Sequence, residues 1–138
     1  MSEKDLITEK FKENNYSLLV AKNNEIVKES FAKGIGELLA LYDNQPELLK
    51  NSFVADKIVG AAAASVYQLS EINYCYAKII SQKAVDIFTK NKINFNFEKK
   101  VKHIKNRANN GLCPIEKLAL EAENETKAIK KIKDFIKS

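Results

Sequence analysis

The chain is poor in the residue types that build metal sites and disulfide frameworks. Its two cysteines, Cys75 and Cys113, stand far apart. In the reducing compartment expected for this chain they are free thiols rather than a disulfide framework. No Cys-x-x-Cys pair offers a structural zinc ion two thiolates from one turn. The soft ligands are Cys75, Cys113 and the single histidine, His103, with no chelating spacing among them. Neither a metal nor a cofactor is therefore expected. Long apolar runs are also missing: the longest, Ile58 to Tyr67, is alanine-rich and far short of the roughly 18 residues of a membrane span. Ser2-Glu3-Lys4-Asp5 mixes both charges and leads into no signal-peptide pattern, so a cytoplasmic location without membrane partners is the expectation. Internal repeats and low-complexity linkers are absent as well.

What is present fits one globular domain over residues 1–138: 15.6 kDa, 45% apolar and 30% charged residues. The net charge of +5 sits at the C-terminal end, since Lys99 to Ser138 holds eleven basic and five acidic residues. That asymmetry reads either as a polyanion site or as a solvated face. Tyrosine and phenylalanine are not interleaved with those lysines, which counts against nucleic acid as a partner.

Leu6, Ile7 and Phe11 at one-turn spacing predict a helix over Glu3 to Glu13, with Ser2 available as N-cap. Tyr16 to Lys22 and Glu25 to Phe31 read as strands joined by Asn23-Asn24, both tolerant of the positive φ of a type I′ turn. Glu37 to Tyr42 is helical, and Gln45-Pro46 starts another turn. Ala55 to Leu69 is expected to be a buried helix, apolar on nearly every side. Tyr74 to Ile80 suits a central strand covered on both faces, Ser81 caps a helix reaching Lys90, and Ile93 to Phe97 alternates as a further strand. Two helices, Pro114 to Ala122 and Glu125 to Ile136, follow a long polar loop over roughly Lys99 to Cys113. The sum is an α/β fold: a mixed sheet of four or five strands opening with a β-hairpin, with helices on both faces.

Chemistry concentrates in two places. Asp56 and Lys57 are expected at the start of the buried helix. There Asp56 serves as a cap, or the two side chains together form the polar wall of a pocket. The second place is Asn106-Arg107 followed by Gly111-Leu112-Cys113-Pro114. Pro114 suits a first helical turn, so Cys113 falls near the N-cap, where unpaired N–H groups and the helix dipole favour a thiolate. Arg107 would stabilise that thiolate or clamp an anion. The alternative is a half-buried cysteine covering a helix end, with Arg107 in solvent. His103 is read as solvent-facing, Cys75 as a small core residue, and Gly34-Ile35-Gly36 lacks the rest of a phosphate-binding pattern.

Val54-Ala55-Asp56-Lys57-Ile58-Val59-Gly60-Ala61-Ala62-Ala63, Ile79-Ile80-Ser81, Asn106-Arg107 and Gly111-Leu112-Cys113-Pro114-Ile115-Glu116 together resemble an uncharacterised bacterial family with a cytidine-deaminase-like fold. The resemblance spans nearly the whole chain. It implies a three-layer α/β/α sandwich, and a homodimer. Zinc deaminases need a His or Cys with a nearby Glu at one helix and Pro-Cys-x-x-Cys at the next. Here those positions read Asp56-Lys57 and Ser81-Gln82-Lys83-Ala84, so hydrolytic deamination is not expected. The expected function is binding of a small, nucleoside- or nucleotide-like ligand. Asp56, Lys57 and Cys113 are the candidate catalytic residues, and Ser81, Asn106, Arg107 and Gly111 the candidate ligand contacts. An enzyme on this chain would be cysteine-dependent. The alternative is a non-catalytic regulatory or nucleic-acid- or protein-binding module acting through the basic C-terminal surface.

Overall fold

The computed structural model describes residues 2–106, 108 and 111–137. Helix α1 (Glu3–Glu13) opens the chain, and the Ser2 Oγ accepts from the Asp5 N–H at 3.2 Å. Strands β1 (Leu18–Lys22) and β2 (Glu25–Ser30) form the hairpin. Asn23 and Asn24 take φ of 52° and 64°, the left-handed values a type I′ turn requires of both central residues. Helix α2 (Gly36–Asn44) and a 3-10 turn at Pro46–Leu48 lead to β3 (Phe53–Val59). Then α3 (Ala61–Ser70), β4 (Tyr74–Ser81), α4 (Gln82–Lys90) and β5 (Asn94–Val101) alternate, before α5 (Pro114–Glu121) and α6 (Glu125–Lys137).

The five-stranded sheet runs β2-β1-β3-β4-β5. β1 is antiparallel to both neighbours, whereas β3, β4 and β5 are parallel. Parallel strands need crossovers, and α3 and α4 supply them. The period-2 alternation of β1 divides the core. Leu19 and Ala21 meet Ile7 and Phe11 of α1, together with Ala55, Tyr74 and Tyr76. Leu18 and Val20 face the other way, into a larger cluster built with α2 to α6. Within it Ala61 to Tyr67 are all buried, and the four small side chains Ala61 to Ala64 suit a helix enclosed by neighbours.

The structure corrects two expectations. Ala55 to Leu69 is not one helix: Phe53–Val59 is a strand, Gly60 breaks it, and α3 begins only at Ala61. The pairing partners offered by β1 and β4 outweigh the weak helical tendency of Ala55 to Lys57. The last strand also continues past Phe97 to Val101, so the polar connection begins at Lys102.

Ser81 is the N-cap of α4; its buried Oγ accepts from the Ala84 N–H at 3.2 Å. Ser81→Ala is therefore expected to cost about 1 kcal/mol, a fall of roughly 3–5 °C in Tm. A thermal unfolding scan measures it.

Candidate functional site

Asp56 and Lys57 are neighbours on β3, not on a helix, and successive strand residues point to opposite faces. Asp56 turns toward α3. The Tyr67 hydroxyl donates to its Oδ2 at 2.5 Å, and the Ile58 N–H donates to Oδ1 at 3.2 Å. No cation compensates this carboxyl in these contacts, so burial raises its pKa from 3.8 to about 7, against the lowering effect of the hydrogen bonds. Burial also holds the Tyr67 phenol and the Cys75 thiol well above their usual values, and the Asp56 charge adds to both. Lys57 emerges on the α1 face, where its Nζ donates to Asn15 Oδ1 at 2.9 Å. The expected shared wall of Asp56 and Lys57 does not exist, because strand geometry splits the pair.

The positive end of the buried helix is served by another carboxylate. Glu116, on the first turn of α5, is 6% exposed. Its Oε1 accepts from the Ala61 N–H at 2.5 Å and its Oε2 from the Ala62 N–H at 3.0 Å. Desolvation raises its pKa, while those two N–H donors pull it down. Glu116 thus fills the anion position that unpaired N–H groups create at a helix start. Asp56 lies three strand residues, roughly 10 Å, short of the strand end that carries this helix start.

Cys113 is the N-cap of α5 and half-buried, with Pro114 behind it, and its side chain makes no capping hydrogen bond. The Cys113 N–H donates to the Ile104 carbonyl at 3.0 Å. Lys105 pairs with Leu112, and the Asn106 N–H donates to the Gly111 carbonyl at 2.8 Å. Asn106 and Gly111 are therefore held side by side just ahead of α5. Arg107 lies outside the described residues, as do Asn109 and Asn110. Ser81 spends its oxygen on the α4 cap. His103 is exposed and Cys75 fully buried, each as its sequence position suggests. Among the described residues no group of three or more His, Cys, Asp or Glu side chains is arranged to hold a metal ion.

Two clefts open instead on the α1 face of the sheet. One, of about 320 Å³, lies between α1 and the start of β4 and β5, bounded by Lys4, Thr8, Lys12, Tyr74, Asn94 and Asn96. The other, of about 430 Å³, is bounded by Lys12, Asn15, Lys57, Tyr76, Lys78 and Glu98. Lys12 and Tyr76 line both, so the clefts meet along α1. The Lys4 and Lys12 ammonium groups sit over the Tyr74 and Tyr76 rings, 5.0 and 5.4 Å from their centroids. Sequence reasoning missed this groove because the apolar run of β4 suggested cover on both faces. The signal was the alternation Tyr74-x-Tyr76-x-Lys78, which puts two tyrosines and a lysine on one face. The C-terminal lysines are partly engaged elsewhere, Lys127 with Glu123 and Lys133 with Asp43.

Among the described residues, a five-stranded mixed α/β sheet with six helices and an internally capped buried helix defines the class. Residues 6–136 match the family described as TM1506, domain of unknown function (DUF1893), and the chain belongs to that family. It is similar to the crystal structure of a DUF1893 family protein (TM1506) from Thermotoga maritima. Identity is 26% over 97% of this chain and 92% of that chain, with a TM-score of 0.86. No curated protein matches the chain. No helix among the described residues is long and apolar enough to cross a membrane.

Proposed function

We propose that this chain is a zinc-free, cytidine-deaminase-like α/β/α sandwich that binds an anionic, nucleotide-like small molecule in the groove beside α1, without catalysing its conversion. The fold reading is supported by the hairpin followed by β3-α3-β4-α4-β5, with α1 on one face and the remaining helices on the other. The binding reading rests on one observation: Lys4, Lys12, Lys57 and Lys78 line two clefts that share Lys12 and Tyr76, against the acids Asp5 and Glu98. Four ammonium groups beside low-dielectric tyrosine walls focus a positive potential. Asn15, Asn94 and Asn96 add amide donors and acceptors suited to a base edge or sugar hydroxyls. Tyr74 and Tyr76 are only 5% and 6% exposed, so the ligand would lie against lysine and amide groups rather than stack on open rings.

Calorimetric titration with a nucleoside monophosphate, a nucleoside triphosphate and inorganic phosphate tests the reading. Binding of a nucleotide is expected, with Lys12→Ala and Lys78→Ala each weakening it at least tenfold and Cys113→Ser leaving it unchanged. No heat from any of the three ligands at millimolar concentration would refute the groove as an anion site. Loss of binding in the Cys113→Ser protein alone would return the site to the start of α5.

A further inference from the structure

The two clefts beside α1 share Lys12 and Tyr76 but differ in what else lines them. In the second, Lys12, Lys57 and Lys78 face a single carboxylate, Glu98. In the first, the further lysine, Lys4, is matched by Asp5, and the neutral side chains Thr8, Asn94 and Asn96 complete the polar lining. Among the described residues none of these four lysines forms an ion pair; the ion pairs lie elsewhere, as in Lys10–Glu29 and Lys28–Glu37 by the hairpin. The positive surplus is therefore confined to one end of the groove.

We infer that the groove is divided by charge: a single phosphate group sits in the second cleft between Lys57 and Lys78, and an uncharged, hydrogen-bonding body lies in the first against Asn94 and Asn96. The ligand class is a phosphomonoester, such as a nucleoside monophosphate, rather than a polyphosphate. This rests on the reading of the groove as an anion site. The pairing of β3 with β4 sets Asp56 opposite Ala77 and Ile58 opposite Ile79, so Lys57 and Lys78 stand between the same two pairs, on strands roughly 5 Å apart. Both line the second cleft, and like charges at that spacing repel. Lys57 donates to a neutral acceptor, Asn15 Oδ1, and Lys78 has no hydrogen bond or ion pair among the described residues. An oxyanion between the two ammonium groups relieves the repulsion and gives both a charged acceptor.

Charge also sets how much phosphate the groove takes. A phosphomonoester carries about −1.5 to −2 at neutral pH. The surplus of Lys12, Lys57 and Lys78 over Glu98 balances that charge. A triphosphate would carry its further charges beyond the surplus, toward Glu98 or onto the end that holds Asp5. The first cleft offers neutral groups instead. Asn96 Oδ1 accepts from the Phe97 N–H at 3.0 Å, which leaves its NH₂ to donate, whereas Asn94 keeps both a donor and an acceptor. Asn94 stands opposite Tyr74 and Asn96 opposite Tyr76, so the two amides follow each other along β5 at the strand period, roughly 7 Å apart. That spacing suits the hydroxyls and ring edge of a neutral body.

Phosphorus NMR titrations of the full chain with inorganic phosphate, the common nucleoside monophosphates and their triphosphates test the division. The best monophosphate is expected to bind at least as tightly as its triphosphate. Lys57→Ala and Lys78→Ala should each weaken inorganic phosphate and the monophosphate together, by at least tenfold. Asn94→Ala should weaken the monophosphate at least fivefold and leave inorganic phosphate unchanged. Glu98→Gln removes the one carboxylate beside the phosphate and should tighten both ligands at least twofold, a gain that no folding defect can mimic. Triphosphate binding at least tenfold tighter than monophosphate overturns the inference, as does an Asn94→Ala protein that loses inorganic phosphate equally; either result leaves the groove an anion site. Absence of binding by every one of these ligands overturns both readings.

Discussion

Raising the pH from about 4 to about 8 is expected to remove about 2–4 kcal/mol of folding stability, and Asp56→Asn to remove most of that dependence. The cause is a carboxyl held between β3 and α3 with a phenol, a backbone N–H and a neighbouring thiol around it. Its folded pKa is about 7 against an ordinary 3.8. Between these values the folded chain keeps a proton that the unfolded chain has released. The stabilisation is complete below pH 3.8, falls as the pH rises, and is lost once the pH passes about 7. In Asp56→Asn the amide oxygen can still accept from Tyr67, at the cost of weakening the Ile58 contact, worth about 1 kcal/mol. The curves should therefore cross: at pH 4 the variant is equal to or slightly less stable than the wild type, and at pH 8 it is more stable. Urea midpoints measured across that range decide it. Glu116, also raised by burial, leaves a smaller slope of the same sign in the variant. A wild-type curve that rises with pH would mean that Asp56 ionises freely in the fold.

The same residue shows what the sequence made legible and what it did not. Local signals carried most elements: Ser2 and Ser81 as caps, Asn23-Asn24 as the turn, and Pro114 as the first helical residue of α5 all stand where their chemistry places them. The sheet of α/β type follows from those elements. The failure lay between Phe53 and Gly60, where an alanine-rich helix adjoins a strand and the apolar character is continuous across both. Ile58-Val59 followed by Gly60 was the local clue, since β-branched residues favour a strand and a glycine marks its end. Reading Asp56-Lys57 as helical put the two side chains together, whereas a strand period of two drives them apart. Tyr67 and Glu116 were missed for a different reason. Each becomes chemically significant only through a partner 11 or 55 positions away, and no local spacing records such a meeting.

Gly60→Ala is expected to destabilise the fold by about 2–4 kcal/mol, and Glu116→Ala by a similar amount, but the double variant by little more than either one alone. Gly60 has φ −100° and ψ −168°, an extended conformation open to any residue, so backbone freedom is not why glycine stands there. Space is the reason. A Cβ on Gly60 would lie 1.9 Å from Glu116 Oε1, 2.3 Å from its Cδ and 2.7 Å from its Oε2. The carboxylate must leave to admit the methyl group, and leaving orphans the N–H groups of Ala61 and Ala62 in a buried setting. Each single change therefore destroys the same cap, once by removing the carboxylate and once by evicting it. With the carboxylate already gone, the methyl of the double variant occupies vacated space and adds little. Glu116→Gln, which keeps one oxygen acceptor but sets a donor NH₂ against the other N–H, should fall between wild type and Glu116→Ala, with a loss of about 1–2 kcal/mol. Chemical denaturation of the four proteins of this cycle, with Gln as a fifth, gives the coupling directly. Additive losses from Gly60→Ala and Glu116→Ala would mean that the glycine answers to some neighbour other than Glu116, and that α5 does not hold α3 through this carboxylate.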